Sequence, residues 1–290
     1  MSIAKEISIK INSIKNTKKI TKAMEMIAVS KMHKIQKKMF LIRNYYNKIK
    51  KIIFNLLFLN INYKHDFIFK KNNSKKVGFI IVSTDKGLCS GINSNLFKLF
   101  FLKIKKKKIN KKNIKIVSIG SKSFNFFTHL NYKIISYVNN INEFSIFKKI
   151  IGPINSIINL YNKNKIKIIY LLYNKCINTF KQEPLIKQLL PIKKNYKNFN
   201  KKKKYNNNYL FEPNKKKVIS KLLIRYLETI VLQAVIENIT SEQSARMITM
   251  SNASNSADNI IDNLKLKFNK TRQYFITNEL SEIISGSMNI

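Results

Sequence analysis

Met32-His33-Lys34-Ile35-Gln36-Lys37-Lys38-Met39-Phe40-Leu41-Ile42-Arg43-Asn44-Tyr45-Tyr46 carries apolar side chains at alternating spacings of three and four: Met32, Ile35, Met39, Ile42 and Tyr46. That spacing lays one stripe along a helix and, sustained over many turns, predicts a coiled-coil seam. The stripe runs back through Ala28, Glu25, Thr21, Lys18, Ile14, Ile11 and Ile7, and forward through Ile49, Ile53 and Leu56. Lys18, Thr21 and Glu25 interrupt it together. A single helix from about Ile3 to Leu59 would be about 80 Å long at 1.5 Å per residue. The competing reading is two ordinary helices broken near Arg43–Tyr46.

A second stripe lies at the other end of the chain: Leu222, Tyr226, Thr229, Leu232, Ile236, Ile239, Gln243, Met247, Met250, Ala253, Ala257, Ile261, Leu264, Phe268, Thr271 and Phe275. All four prolines and five of the six glycines fall between Gly78 and Pro213. Roughly seventy residues at each terminus therefore lack the two residues that most often stop a helix. Two long helices with matching stripes pair antiparallel, and Leu232, Ile236 and Met247 are expected to face the N-terminal helix. Only the small, polar stretch Thr249–Asp258 threatens continuity.

The middle reads differently. Val77–Val82 is a buried strand running into the turn Ser83-Thr84-Asp85-Lys86-Gly87. Then follow a helix over Ile92–Ile104, a strand over Ile114–Ile119 closed by Gly120, and a short helix from Ser121, read as its cap, to Leu130. A strand over Tyr132–Val138, a helix over Glu143–Tyr161, a strand over Ile166–Tyr173 and an edge strand around Asn178–Ile192 complete the pattern. Alternating strands and helices predict a mostly parallel, three-layer, Rossmann-like α/β domain. The expected division is a coiled-coil helix over 1–60, an α/β domain over 75–192, a Lys/Asn-rich loop over 193–212 and a coiled-coil helix over 213–290. Lys193–Asn208, almost entirely Lys, Asn and Tyr, reads as the solvated part of that loop.

The formal net charge is +42, from 56 Lys+Arg against 14 Asp+Glu, which taken alone suggests a nucleic acid or an anionic surface. Yet only Arg43, Arg225, Arg246 and Arg272 are arginine, the residue favoured for guanine readout and bidentate phosphate binding. Lys, Ile and Asn also share AT-rich codons, so the lysine reads mainly as compositional drift on solvated faces. Pro213–Ile290 holds ten basic and seven acidic residues, a net of +3, and so leaves +39 to the rest of the chain. The C-terminal segment therefore answers to something more demanding than solvent. A basic coiled-coil nucleic-acid-binding protein is the alternative function, and that near-neutral helix speaks against it.

Cys89 and Cys176 form no CxxC and read as free thiols. Met1–Lys10 has no apolar stretch of signal-peptide length, and no apolar run reaches the ~18 residues that span a bilayer. Asp85-Lys86-Gly87-Leu88-Cys89-Ser90-Gly91 follows a strand and precedes a helix, where α/β domains hold phosphates. It lacks the phosphate-loop pattern, and reads as a tight turn that lets strand and helix pack. His33, His65 and His129 have no carboxylate or cysteine at ligand spacing. No catalytic residue, cofactor site or metal site is expected.

Ile11-Asn12-Ser13-Ile14-Lys15-Asn16-Thr17-Lys18-Lys19-Ile20-Thr21-Lys22-Ala23-Met24-Glu25-Met26-Ile27-Ala28-Val29-Ser30-Lys31-Met32 resembles the N-terminal helix of the gamma subunit of bacterial F-type, proton-translocating ATP synthases. Val82–Cys89 resembles that family's first strand and glycine turn, although Ser90 stands where the family usually has the first of two glycines. Ser241–Met247, Phe268–Gln273 and Ile276–Ile283 resemble its C-terminal helix. The resemblance covers essentially the whole chain. It implies a non-catalytic rotor shaft: an antiparallel coiled coil turning inside a hexamer of alpha and beta subunits, coupling proton flow to ATP synthesis or hydrolysis at beta. It implies further contacts with the epsilon subunit and the ring of c subunits, no nucleic-acid partner, and a peripheral place on the cytoplasmic side of the cell inner membrane. By motif match, Met24, Lys31, Arg246, Arg272, Gln273, Thr277 and Glu279 are the expected contacts with alpha and beta.

Overall fold

The computed structural model describes residues 2–58, 65–69, 74–141, 146–192, 212 and 214–288. Helix α1 spans Ser2–Phe58 and is unbroken at Arg43–Tyr46. Helix α6 spans Lys215–Met288 and is unbroken at Thr249–Asp258, because small and polar side chains lower helix propensity far less than an interior proline. Most of the Lys/Asn-rich loop lies outside the described residues. The chain divides into two compact units, Lys31–Ala245 and Met1–Ser30 with Arg246–Ile290.

In Lys31–Ala245, after the one-turn helix α2 (Asp66–Phe69), come β1 (Val77–Val82), α3 (Ile92–Lys107), β2 (Ile114–Ile119), α4 (Ser121–His129), β3 (Ile134–Val138), α5 (Ile146–Asn162), β4 (Ile168–Cys176) and β5 (Gln182–Leu190). The sheet order is β3-β2-β1-β4-β5, and all neighbours are parallel except the edge strand β5. β1 is apolar throughout and buried throughout, as a strand covered on both faces must be. Its residues Phe79 and Ile81 pack with Leu96, Phe97 and Phe100 of α3 and Phe127 of α4. Ile80 and Val82 point to the opposite face, toward Ile154, Ile157 and Ile158 of α5, in the core cluster shared with Ile35, Tyr46 and Ile49 of α1 and Leu223, Leu227 and Val231 of α6. These are the three layers: α3 and α4, the sheet, then α5 with the long helices.

One local expectation fails. Ser121 does not cap α4; Gly120 precedes the helix at φ 105°, and a Cβ there would meet the Ser83 carbonyl oxygen at 2.5 Å. Only glycine fits. The Ser121 hydroxyl instead donates to Asp85 Oδ1 at 2.8 Å, while Asp85 Oδ1 also takes the Ser121 N–H at 2.9 Å.

The α6 stretch from Ile219 to Ala245 is covered on nearly every side, with Ile219, Leu223, Leu227, Ile230, Val231, Ala234, Val235, Asn238, Ser241 and Ala245 all buried. These positions lie off the predicted stripe as well as beside it. Leu227-Glu228-Thr229-Ile230-Val231-Leu232-Gln233-Ala234-Val235-Ile236 is apolar almost all round, the signature of a helix in a core. Three of its buried polar groups are met locally: Arg225 donates to Glu228 at 2.8 Å, and the Thr229 and Thr240 hydroxyls donate one turn back at 2.7 and 2.9 Å.

The other unit is a helix pair. Ile7, Ile11 and Ile261 form its buried centre, with Ile14, Leu264 and Phe268 packed against them. Thr21 Oγ1 lies 2.8 Å from Ser254 Oγ and Lys18 pairs with Asp258, so the two helices run antiparallel in one continuous register.

Candidate partner interface

Within the helix pair, the polar interruptions answer each other. Lys18 and Thr21 of α1 meet the small polar stretch of α6, through Lys18–Asp258 and Thr21–Ser254. Glu25 is held by Lys22 at 3.0 Å. The Lys18–Asp258 pair is half-exposed and contributes at most about 1 kcal/mol. Its larger effect is on register, since a single polar layer in an apolar seam rejects shifted alignments.

The expected contact residues lie on the two long helices. Met24 is 37% exposed on the flank of Thr21 and Glu25. Arg246 is half-buried; Lys31, in the other unit, is exposed. Arg272, Gln273, Thr277 and Glu279 are all exposed. At about 100° per residue, Arg272 and Glu279 share one side of α6 and Gln273 and Thr277 another. They do not form one face. The Thr277 hydroxyl donates to the Gln273 carbonyl at 2.9 Å, inside its own helix.

Between those two pairs lies what the sequence reading missed. Ile276, Leu280, Ile283 and Ile284 are 47%, 55%, 68% and 53% exposed. Their spacing of four, three and one puts them on one face, turned away from the seam positions Phe268, Thr271 and Phe275. On α1, Ile9, Ile20, Met26 and Ile27 are exposed as well. The signal was legible: these side chains keep helical spacing off the seam stripe. A helix pair whose seam is already filled, yet which presents a second apolar face, is built to be enclosed.

The turn after β1 is no such surface. In parallel sheets ligands sit outside the carboxyl ends of the strands where the order reverses, here between β1 and β4. Asp85 is spent on Ser121 and on the Ile141 N–H at 3.3 Å. Thr84 and Asn93 bond each other, Asn93 Nδ2 donating to Thr84 Oγ1 at 2.7 Å and Asn93 Oδ1 accepting the Thr84 N–H at 3.2 Å. Cys89 and Ile92 are buried against Ala245 of α6. At the end of β4, the Asn174 side chain bonds Asn238 of α6 at 3.0 Å. The crevice is filled by the protein's own helix.

Comparison with known proteins agrees with this arrangement. A family model described as ATP synthase matches residues 3–289. The chain is 45% identical over 287 residues to the ATP synthase gamma chain of Verminephrobacter eiseniae, covering 99% of this chain and 98% of that one. It is 44% identical to the ATP synthase gamma chain of Pasteurella multocida, covering 99% of both. Among solved structures, a chain of the Euglena gracilis mitochondrial ATP synthase OSCP/F1/c-ring assembly superposes with a TM-score of 0.65 at 16% identity, covering 99% of this chain and 94% of that one. A chain of the Tetrahymena thermophila mitochondrial ATP synthase central stalk and c-ring gives 0.62 at 20% identity, covering 81% of this chain and 99% of that one. At those identities the structures speak for the fold.

Proposed function

The chain belongs to the gamma-chain family of ATP synthases, and on that premise we propose that it is the central rotor shaft of a proton-driven rotary machine. The helix pair turns inside a hexamer of alpha and beta subunits, and the α/β domain stands over the ring of c subunits beside epsilon. Proton flow turns the shaft, and its uneven faces bring the beta subunits to different nucleotide affinities in turn. The chemistry belongs to beta, and this chain supplies no catalytic group. It takes a peripheral position on the cytoplasmic side of the inner membrane; no helix among the described residues is long and apolar enough to cross a membrane.

The observation that carries this reading is the exposed face of Ile276, Leu280, Ile283 and Ile284 beside a seam already filled. An apolar sleeve would cover it without gripping it, as rotation requires. Arg272, Gln273, Thr277 and Glu279 flank that face and touch beta; Met24, Lys31 and Arg246 tune how tightly catalysis is coupled to rotation. The nucleic-acid alternative lacks support: α6 is near neutral, and four arginines supply little base readout.

The test is complementation. In a bacterium whose own gamma chain is deleted, this chain should co-purify with alpha and beta and restore ATP-driven proton pumping in inverted vesicles. Co-purification with nucleic acid, and no pumping, overturns the reading.

A further inference from the structure

β1 pairs with β4 only as far as Ile81↔Leu172. Two residues further along β4, both backbone groups of Asn174 are taken by side chains of α6. The Asn174 N–H donates to Asn238 Oδ1 at 3.2 Å. The Asn174 carbonyl accepts from Ser241 Oγ at 3.0 Å, a hydroxyl whose one proton is shared with the Glu237 carbonyl at 2.9 Å. The Asn174 side chain adds a third bond, Nδ2 to Asn238 Oδ1 at 3.0 Å. A strand residue's N–H and C=O point to the same side. One turn of α6 thus replaces β1 in the ladder where β1 has ended.

We propose that Asn174, Asn238 and Ser241 form a latch that fixes the rotation of α6 about its own axis relative to the sheet, and so carries torque between the α/β domain and the shaft. This rests on the shaft reading above. Beyond the side-chain contacts of Tyr173 with Glu237 and of Cys176 with Ser244, most of the sheet–helix contact is apolar, and apolar burial is non-directional. It holds a helix against a sheet but resists turning weakly. Hydrogen bonds are directional, falling off steeply with angle. Asn238 and Ser241, three apart, lie on one side of α6 and grip one residue of β4, so any turn of the helix breaks both bonds together. The burial pattern supports a specific use for the oxygen. Asn238 is buried and its Nδ2 has no partner, an arrangement that costs stability. The side chain is held for Oδ1 alone.

The test uses the assembled complex with Asn238→Leu, and separately Ser241→Ala as the milder change. Amide exchange in the β4 segment containing Asn174 should quicken about tenfold in Asn238→Leu, the loss of roughly one net hydrogen bond, while β1 and β2 hold their protection. ATP hydrolysis by the detached catalytic head, which turns without load, should match the parent. Proton pumping per ATP against an imposed gradient should fall in both variants. Ser241→Thr, which keeps the hydroxyl, should pump as the parent does. Parent-level pumping in both Asn238→Leu and Ser241→Ala overturns the latch, as does unchanged exchange at Asn174. If Asn238→Leu does not assemble, Ser241→Ala decides by the pumping readout. If the unmodified chain fails to support pumping at all, the shaft reading fails instead, and the exchange measurement still reports on the latch.

Discussion

Two lengths of helix α6 live in opposite surroundings. From Ile219 to Ala245 it is buried on nearly every side, and from Leu266 to Ser287 only seam positions are even partly covered. The first length is covered on its apolar and polar positions alike by the α/β domain of its own chain. The second is apolar on two faces and finds a partner for one. One length is a structural pin; the other is a surface held ready for a different molecule.

Placing one charge in each length should break the comparison most sharply. Ile236 is 2% exposed, so Ile236→Asp leaves an unpaired carboxylate in the core and should cost about 3–5 kcal/mol in denaturant unfolding of the isolated subunit. A variant that unfolds like its parent would show Ile236 is not in the core. Ile276→Asp makes the same chemical change on the open face. Isolated stability should move by less than about 0.5 kcal/mol, while assembly with alpha and beta falls. Equal assembly of Ile276→Asp and parent would mean that the face is simply solvated.

Smaller effects sharpen the picture. Replacing Arg272 and Gln273 with alanine should lower turnover of the reconstituted complex while leaving isolated stability unchanged; unchanged turnover removes them from the interface. Met24→Lys adds a cation on the flank of the polar layer. It should leave assembly intact and lower protons pumped per ATP in inverted vesicles, and a ratio equal to the parent's makes Met24 an ordinary packing residue. The smallest change lies in the turn. Ser90 sits at φ 57°, a left-handed conformation that favours glycine. Ser90→Gly should raise unfolding stability by about 0.5 kcal/mol, the strain relieved less the extra freedom gained by the unfolded chain. A drop in stability would show that the serine side chain holds the turn.

Much of this was legible. Every described member of the α1 stripe, Ile7 through Ile53, lies at least partly covered, because three-four spacing leaves a helix no other way to bury them. Val77–Val82 and Ile114–Ile119 emerge with the bounds their apolar runs imply. The second face of α6 was missed because a single stripe was fitted to the whole helix, when the buried length needed contacts all round. The latch was beyond reach for another reason. Asn174 and Asn238 are 64 residues apart, and no local spacing announces that a side chain will bond a distant strand's backbone. The helical spacing of Ile276, Leu280, Ile283 and Ile284 is readable in the sequence, but only the filled seam beside them shows that their face is surplus to folding.

The seam joins residues made early to residues made much later. Lys18 and its partner Asp258 are 240 residues apart in the chain. During synthesis, at about 5–20 residues per second, the first turns of α1 emerge well before their partner exists. Closing so long a loop carries an entropy cost that local contacts cannot offset, and such topologies fold slowly. An apolar helix waiting for its mate is exposed to misassociation for that whole interval. The polar layer of Lys18, Thr21 and Glu25 thus has a second consequence: it interrupts the sticky stripe during the period when nothing is there to cover it.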